Sequence, residues 1–550
     1  MSSIAHWPPH LYLVASGESV APDASAATMG AKAWHLLQMT ELGLPVPPAL
    51  VIGTYFTQFP AQIESAVSEA GLSALERLTG QTLGDTRRPL VVSVRSGAPV
   101  SMPGMMETLL NVGLSDRTLP GLLRQTGNPR LVWDAYRRLV STYGEVVAGL
   151  SPTMFEQALR RATQGRDERQ LDFRELRDLT RDFLVLYREH ARSEFPQDVH
   201  EQLRGAIRAV LESWHADKAV QYRRINGIDE AMGTAVIVQR MVFGNAGNRS
   251  GAGVGFTRDP ATGAPGLWVD YLPNAQGEDV VSGRRNAQGH ARFETLAPAA
   301  WRRLQAVACS LEAAFGDMQD FEFTVENGEL FLLQTRAGKR TRSAVVRIAL
   351  DMLDEGVIDV AEALARTGEV AEEDLTLQRI ASGAGGANGA PIAHAVAAGP
   401  GVAVGEIVLD PQRAIERAKQ GMAVVLVRPE AETDDIAALE VCAGVLTMRG
   451  ARTSHAAVVA RQLGKVCLVG CIELTIDEVT ATLTLGARVL REGDCLTLDG
   501  NEGLVYPGAI AVVREPDEAL IRRLRALRDR AADSVKTAAM STAQQDATVP

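Results

Sequence analysis

A side chain that carries a chemical group needs a nucleophile, and the backbone around it must tolerate the charge it takes on. The stretch from Gly444 to Gly470, GVLTMRGARTSHAAVVARQLGKVCLVG, offers both. Its pattern predicts a strand, a glycine turn, a polar triplet and a short helix beginning near Ala456, which Thr453 or Ser454 can cap and Gly464 can end. His455 then stands where unsatisfied backbone N–H groups and the positive end of the helix dipole favour a bound phosphoryl group. An imidazole with its ordinary pKa of about 6.5 is largely neutral at pH 7, so a ring nitrogen is nucleophilic without a separate strong base. Arg449 and Arg452, just upstream, are placed to help hold phosphate charge.

The second chemical pattern runs from Asp320 to Arg336. Asp320, Glu322 and Thr324 alternate with Phe321, Phe323 and Val325, giving a strand with one polar and one apolar face. A two-residue Asn327-Gly328 turn would set Phe321 opposite Gln334 and mix the faces. A three-residue Asn327-Gly328-Glu329 loop with a glycine bulge is therefore expected. It pairs Phe323 with Leu333 and Val325 with Phe331, and sets Glu322 opposite Gln334 and Asp320 opposite Arg336.

Several elements must position these residues. To about residue 110, β-like runs such as PLVVSVRSG alternate with helical patterns such as AKAWHLLQMTELG, and from about 115 to 230 the chain turns helical and charged. Strands return between 234 and 336, closing a first domain over residues 1–342. Residues 343–387 read as a helical segment and flexible linker, with SGAGGANGAPIAHAVAAGPG as the proposed hinge. A second α/β domain spans 388–510, and residues 511–550 give an amphipathic helix and a polar tail.

Composition bounds the rest. The 550 residues are 46% hydrophobic and 22% charged with a net charge of −11, ordinary for a globular protein of several domains and unlike a nucleic-acid-coating chain. The five cysteines show no C-x-x-C pairing and no disulfide-scaffold density, which fits a reducing cytoplasm. The opening MSSIAHWPPHLYLV lacks a basic segment followed by an apolar stretch, and no run approaches the ~18 apolar residues of a membrane span. A soluble, unprocessed protein with neither nucleic-acid nor membrane partners is expected, and a homo-oligomer stays open.

The segment TSHAAVVAR resembles the phosphohistidine signature of the phosphoenolpyruvate-utilising enzymes, in which the residue matching His455 is phosphorylated. Ala451 stands where that family usually has a second glycine. The segments MGAKAWHLLQMTELGLPVPPALVI and VSVRSGAPVSMPGMMETLLNVGL resemble the ATP-binding domain of the pyruvate, phosphate dikinase family, with Ala31 and Ala33 in place of glycines. The resemblance covers residues 10 to 510 and implies an ATP-grasp-like domain with a helical insertion, followed by a swivelling phosphohistidine domain. It makes Lys32 and Arg95 phosphate-binding groups, adds Asp320, Glu322, Gln334 and Arg336 to the ATP site, and gives Arg449, Arg452, Thr453 and Ser454 supporting roles around His455. Glu322 and Gln334 would hold Mg²⁺, whose taste for oxygen ligands they suit.

In the full dikinase an acceptor-binding barrel of ~250 residues follows, and about forty residues after the phosphohistidine domain leave no room for it here. The expected half-reaction converts ATP and phosphate to AMP, pyrophosphate and phospho-His455, with pyruvate or a related acceptor held by a separate subunit. Transfer to another small molecule or protein, and a nucleotide-binding regulatory module without turnover, remain alternatives. Leu520, Leu524, Leu527 and Ala531 recur at helical spacing beside Arg522, Arg523, Arg525, Arg528 and Arg530. This seam either docks the acceptor subunit or packs on the chain itself.

Overall fold

The computed structural model describes residues 8–63, 71–100, 102, 104–281, 288–381, 390–430, 435–452, 454–477 and 480–530. The chain divides into two compact units, Met1–Gly251 with Phe323–Arg336 and Ala252–Glu322 with Ala337–Pro550. The sequence segmentation, by contrast, ends its first domain at residue 342. Among the described residues, no helix is long and apolar enough to cross a membrane.

In the first unit, strands β1 (Leu11–Val14), β2 (Ala49–Ile52), β3 (Val92–Gly97), β4 (Thr108–Val112) and β5 (Ala235–Arg240) form one sheet in the order β1-β2-β5-β3-β4. Every pairing in it is antiparallel. The strands are short, β-branched and buried along nearly their whole length, as a sheet covered on both faces requires. Helix α1 (Ala31–Glu41) follows β1. The expected helical insertion contains α2 (Pro129–Val146), α3 (Phe173–Ala191) and α4 (Val199–Glu212), of which α2 packs on β4 and α4 on β3 and β4. Helix α3 opens on a capping box of Asp172 and Glu175 and buries Leu176, Leu179, Phe183 and Tyr187, the spacing of one helical face.

The chain continues through β6 (Gly251–Arg258) and β7 (Pro265–Pro273), neighbours in another sheet, and then β8 (Gln319–Glu326), which is cut by the unit boundary between Glu322 and Phe323. Only Asn327 (φ 52°) and Gly328 (φ 92°) separate β8 from β9 (Glu329–Ala337). Positive φ at both positions makes this the two-residue primed turn, so the expected three-residue loop is wrong. Counted from that turn, Val325 faces Leu330 and Phe323 faces Leu332. All four are buried, while Phe331 and Leu333 are half-buried. The direct pairing of Glu322 with Gln334 and of Asp320 with Arg336, which depended on the longer loop, does not follow. Burial along β9 changes phase after Leu332, since Thr335 is buried while Gln334 and Arg336 are half-buried, and the Gln334 amide there meets Arg95.

In the second unit, α5 (Arg342–Asp354) and α6 (Val360–Thr367) lead to β10 (Thr376–Ile380). An eight-stranded sheet follows, made of β11 (Ala393–His394), β12 (Val396–Gly399), β13 (Val402–Val408), β14 (Val424–Arg428), β15 (Gly444–Thr447), β16 (Val466–Val469), β17 (Cys495–Asp499) and β18 (Leu504–Pro507). Its order is β11-β18-β17-β13-β14-β15-β16-β12, with β13 to β16 parallel. Helix α7 (His455–Gln462) crosses from β15 to β16. The proposed hinge needs correction here. Residues 382–389 lie outside the described residues, whereas Ala393–Gly399 are strands of this sheet rather than linker. The sheet is entered and left through neighbouring strands, because β10 pairs antiparallel with β19 (Val512–Pro516) and Ala381 N donates to Ala511 O at 2.9 Å.

A last helix, α8 over residues 518–530, buries Leu520, Ile521, Leu524 and Leu527 against Val346 and Leu350 of α5 and Ala363 of α6. Arg523 meets Asp351 at 2.8 Å, and Arg528 donates to Val370 O at 2.8 Å. The seam is therefore already occupied, and its reading as a docking face for another subunit falls; Ala531 lies outside the described residues. Each large side chain so buried contributes roughly 1.5–3 kcal/mol. Deleting residues 515–550 should lower the melting temperature and accelerate amide exchange in α5 and α6. A truncated protein that melts like the full chain would count against this packing.

Candidate active site

Lys32 sits in the first turn of α1, and the start of that helix is fixed by glycine. Gly30 has φ 76°, and a Cβ on it would lie 1.7 Å from Gly97 O. Only glycine allows this approach. Ala31 N donates to Ala98 O at 3.0 Å, and the Lys32 Cβ lies 3.7 Å from the place a Cβ on Gly97 would take. Arg95, two residues before Gly97 on β3, projects from the same face of its strand.

From there Arg95 reaches β9. Its Nη1 donates to Leu333 O at 3.1 Å and Gln239 Oε1 at 3.4 Å, and its Nη2 to Gln334 Oε1 at 3.4 Å. Gln334 and Arg336, two apart, share one face of β9. His35 Nδ1 lies 2.9 Å from Thr335 O and anchors α1 to the same strand, while burial lowers the His35 pKa. The first unit thus brings Arg95 onto Gln334, with Arg336 next along that strand and Lys32 beside Gly97. Sequence reasoning missed His35 and Gln239. The only signal for His35 was its place three residues after Lys32, on the same helical face.

In the second unit, Asp320 and Glu322 share one face of β8, Asp320 almost fully buried and Glu322 half-buried. Helix α7 starts at His455, one residue earlier than expected, with Ser454 as its N-cap in extended conformation. The Ser454 side chain is buried and makes no capping hydrogen bond, and Thr453 lies outside the described residues. Gly464, with φ 65°, ends the helix as predicted, its N–H donating to Arg461 O at 3.1 Å. Arg449 is half exposed, with its Nε 4.0 Å from Glu430 Oε2.

Arg461 is the residue that sequence reasoning passed over. It is 1% exposed, and it donates from Nε to Ala398 O at 3.0 Å and from Nη2 to Arg452 O at 2.9 Å. It thereby ties β12 to the loop that leads into His455. Its guanidinium lies over the Phe256 ring at 5.6 Å and near the Trp268 ring at 5.9 Å, and Arg452 lies over Trp268 at 4.6 Å. Burial lowers the Arg461 pKa, opposed by the negative charges of Asp259, Asp320 and Asp270. The helix that begins at His455 therefore rests, through Arg461, against β6 and β7, the second of which also carries Asp270. The nearby thiols do not compete as nucleophiles, since burial pushes Cys442 and Cys471 up to about 11 and Cys467 up to about 12.

Residues 55–298 and 289–356 match the family described as pyruvate phosphate dikinase, AMP/ATP-binding domain, and residues 421–503 match the PEP-utilising enzyme, mobile domain. The pyruvate, phosphate dikinase of Clostridium symbiosum is 42% identical over 494 residues, 88% of this chain and 56% of that protein. That of Rhizobium meliloti is 40% identical over 534 residues, 93% of this chain and 59% of that protein. That of Giardia intestinalis is 42% identical over 502 residues, 88% and 56% of the two chains. The chain spans a little over half the length of these relatives.

Proposed function

We propose that this chain, which belongs to the pyruvate, phosphate dikinase family, is an ATP-dependent phosphotransferase that carries a phosphoryl group on His455. ATP and phosphate react to give AMP, pyrophosphate and phospho-His455, and the phosphoryl group then passes to pyruvate or a related acceptor presented by a separate chain. The observation that carries the reading is the start of α7 at His455, with its N-cap loop held by Arg461 and seated through Arg452 and Arg461 on Trp268 and Phe256 of β7 and β6.

Lys32, Arg95 and Arg336 supply positive charge for the nucleotide phosphates, and the forked guanidinium of Arg95 is already oriented by Gln239, Gln334 and the Leu333 carbonyl. Among the described residues no three acidic, histidine or cysteine side chains gather as a self-sufficient metal site. The carboxylate of Glu322 and the amide oxygen of Gln334 are each the hard oxygen ligand that Mg²⁺ takes beside phosphate. Bound there, Mg²⁺ would offset negative charge on the transferred group. The single carrier histidine meets donor and acceptor in turn by rotation of the eight-stranded domain about its paired connections next to β10 and β19, a motion in keeping with the mobile domain of the matching family. The five unpaired thiols suit a cytoplasmic setting.

Incubation with β-labelled ATP, Mg²⁺ and phosphate, followed by mapping of the acid-labile label, tests the assignment. Label on a peptide containing His455, formed together with pyrophosphate, is the expected result. Label that enters only from the γ position, or resides elsewhere, rejects the dikinase reading. Adding pyruvate with and without a cell extract then tests whether the acceptor site lies on a separate chain.

A further inference from the structure

We infer that Trp268 is a positioning residue for this phosphotransfer: its indole seats Arg452 and so holds the loop before His455 against β7. The inference rests on the reading of His455 as the phosphoryl carrier and adds a residue of the opposing surface to it.

Trp268 is itself fixed from below. It meets Phe256 edge-on at 5.7 Å and packs on the cluster of Phe256, Met318, Ala344, Ile348 and Met352. The face of the ring takes the Arg452 guanidinium at 4.6 Å, within the range of a cation–π contact, and Arg461 stands 5.9 Å away. The two arginines differ in freedom. Arg461 is buried and bonded to two backbone carbonyls, so it belongs to the scaffold. Arg452 has its carbonyl held by Arg461, but its side chain is half-buried and its Nε makes no hydrogen bond. That leaves the Arg452 side chain as the adjustable part of the contact.

The electrostatics give this contact a direction. A ring quadrupole holds a guanidinium more weakly than a phosphoryl dianion does through charge-assisted hydrogen bonds. Before transfer, Trp268 has Arg452 and the loop is seated. After transfer, a phosphoryl group three residues along the chain competes for the same guanidinium, and Arg452 leaves the ring. The seat therefore favours the uncharged carrier and releases the charged one.

The test compares the full chain with its Trp268→Ala and Trp268→Phe variants. Three quantities are read: nucleotide affinity, the single-turnover rate of label transfer from β-labelled ATP, and amide exchange over residues 455–462 without nucleotide. For Trp268→Ala the transfer rate should fall roughly tenfold and exchange should quicken, with nucleotide affinity unchanged. Trp268→Phe keeps a π face and should recover most of the rate, which a general packing defect would not predict. Wild-type rate and exchange in Trp268→Ala, or no recovery in a folded Trp268→Phe, overturns the inference. If the unsubstituted chain takes up no label, the phosphocarrier reading fails first, and the exchange comparison still decides whether Trp268 seats the loop.

Discussion

The His455→Ala protein takes up no label from β-labelled ATP, while its affinity for the nucleotide matches that of the unsubstituted chain. Two features lead to this expectation. His455 is the first residue of α7, where alanine is a better helix former, so the substitution removes an imidazole without weakening the helix. Lys32, Arg95, Gln334 and Arg336, the groups expected to bind phosphates, all belong to the other compact unit. No neighbouring thiol can substitute, because Cys442, Cys467 and Cys471 are buried and stay protonated well above neutral pH. The loss should therefore exceed ~10³-fold, the scale expected when a covalent nucleophile is deleted rather than weakened. Residual labelling of the variant, at any site that survives acid mapping, would remove His455 from the mechanism.

What was legible in the sequence depended on whether the deciding interaction was local. The α7 segment was read almost to the residue because its signals lie within twenty positions: the β15 run, the glycine turn, the polar triplet and the Gly464 stop. The cap was left between Thr453 and Ser454; Ser454 takes the position, but its hydroxyl does not bond the helix, which the residue type could not reveal. The Asn327-Gly328 turn went wrong for the opposite reason. Pleat alternation was carried unbroken through the hairpin, whereas burial along β9 changes phase after Leu332, where Arg95, more than two hundred residues earlier, reaches the Leu333 carbonyl and the Gln334 amide. Likewise the arginine-flanked seam of α8 stayed open between docking and internal packing because α5 and α6, which cover it, are distant in sequence. Arg461 was overlooked since, inside its helix, it reads as an ordinary surface arginine. Its partners, Ala398, Phe256 and Trp268, lie on three other strands.

Arg336→Ala and Glu322→Ala should each depress phosphohistidine formation by roughly 10²–10³-fold, the usual consequence of deleting one group that stabilises developing charge. The two variants should differ in how they fail. Arg336 follows Gln334 on one face of β9 and carries a permanent charge, so its removal acts on the transferred group and should lower the transfer rate more than nucleotide affinity. Arg336→Lys keeps the charge but loses the planar fork, and should recover only part of the rate. Glu322 is expected to hold the magnesium ion, so Glu322→Gln should move the Mg²⁺ dependence to higher concentration and regain rate as the ion is raised. Asp320, buried on the same face of β8 and among the negative charges that act on Arg461, provides the contrast. Its replacement by asparagine should leave the Mg²⁺ dependence in place while loosening the seat of α7, which amide exchange over residues 455–462 reports. Wild-type rates in both Arg336→Ala and Glu322→Ala would take both residues out of the chemistry and leave Lys32 and Arg95 as the groups that bind the nucleotide without the means to transfer from it.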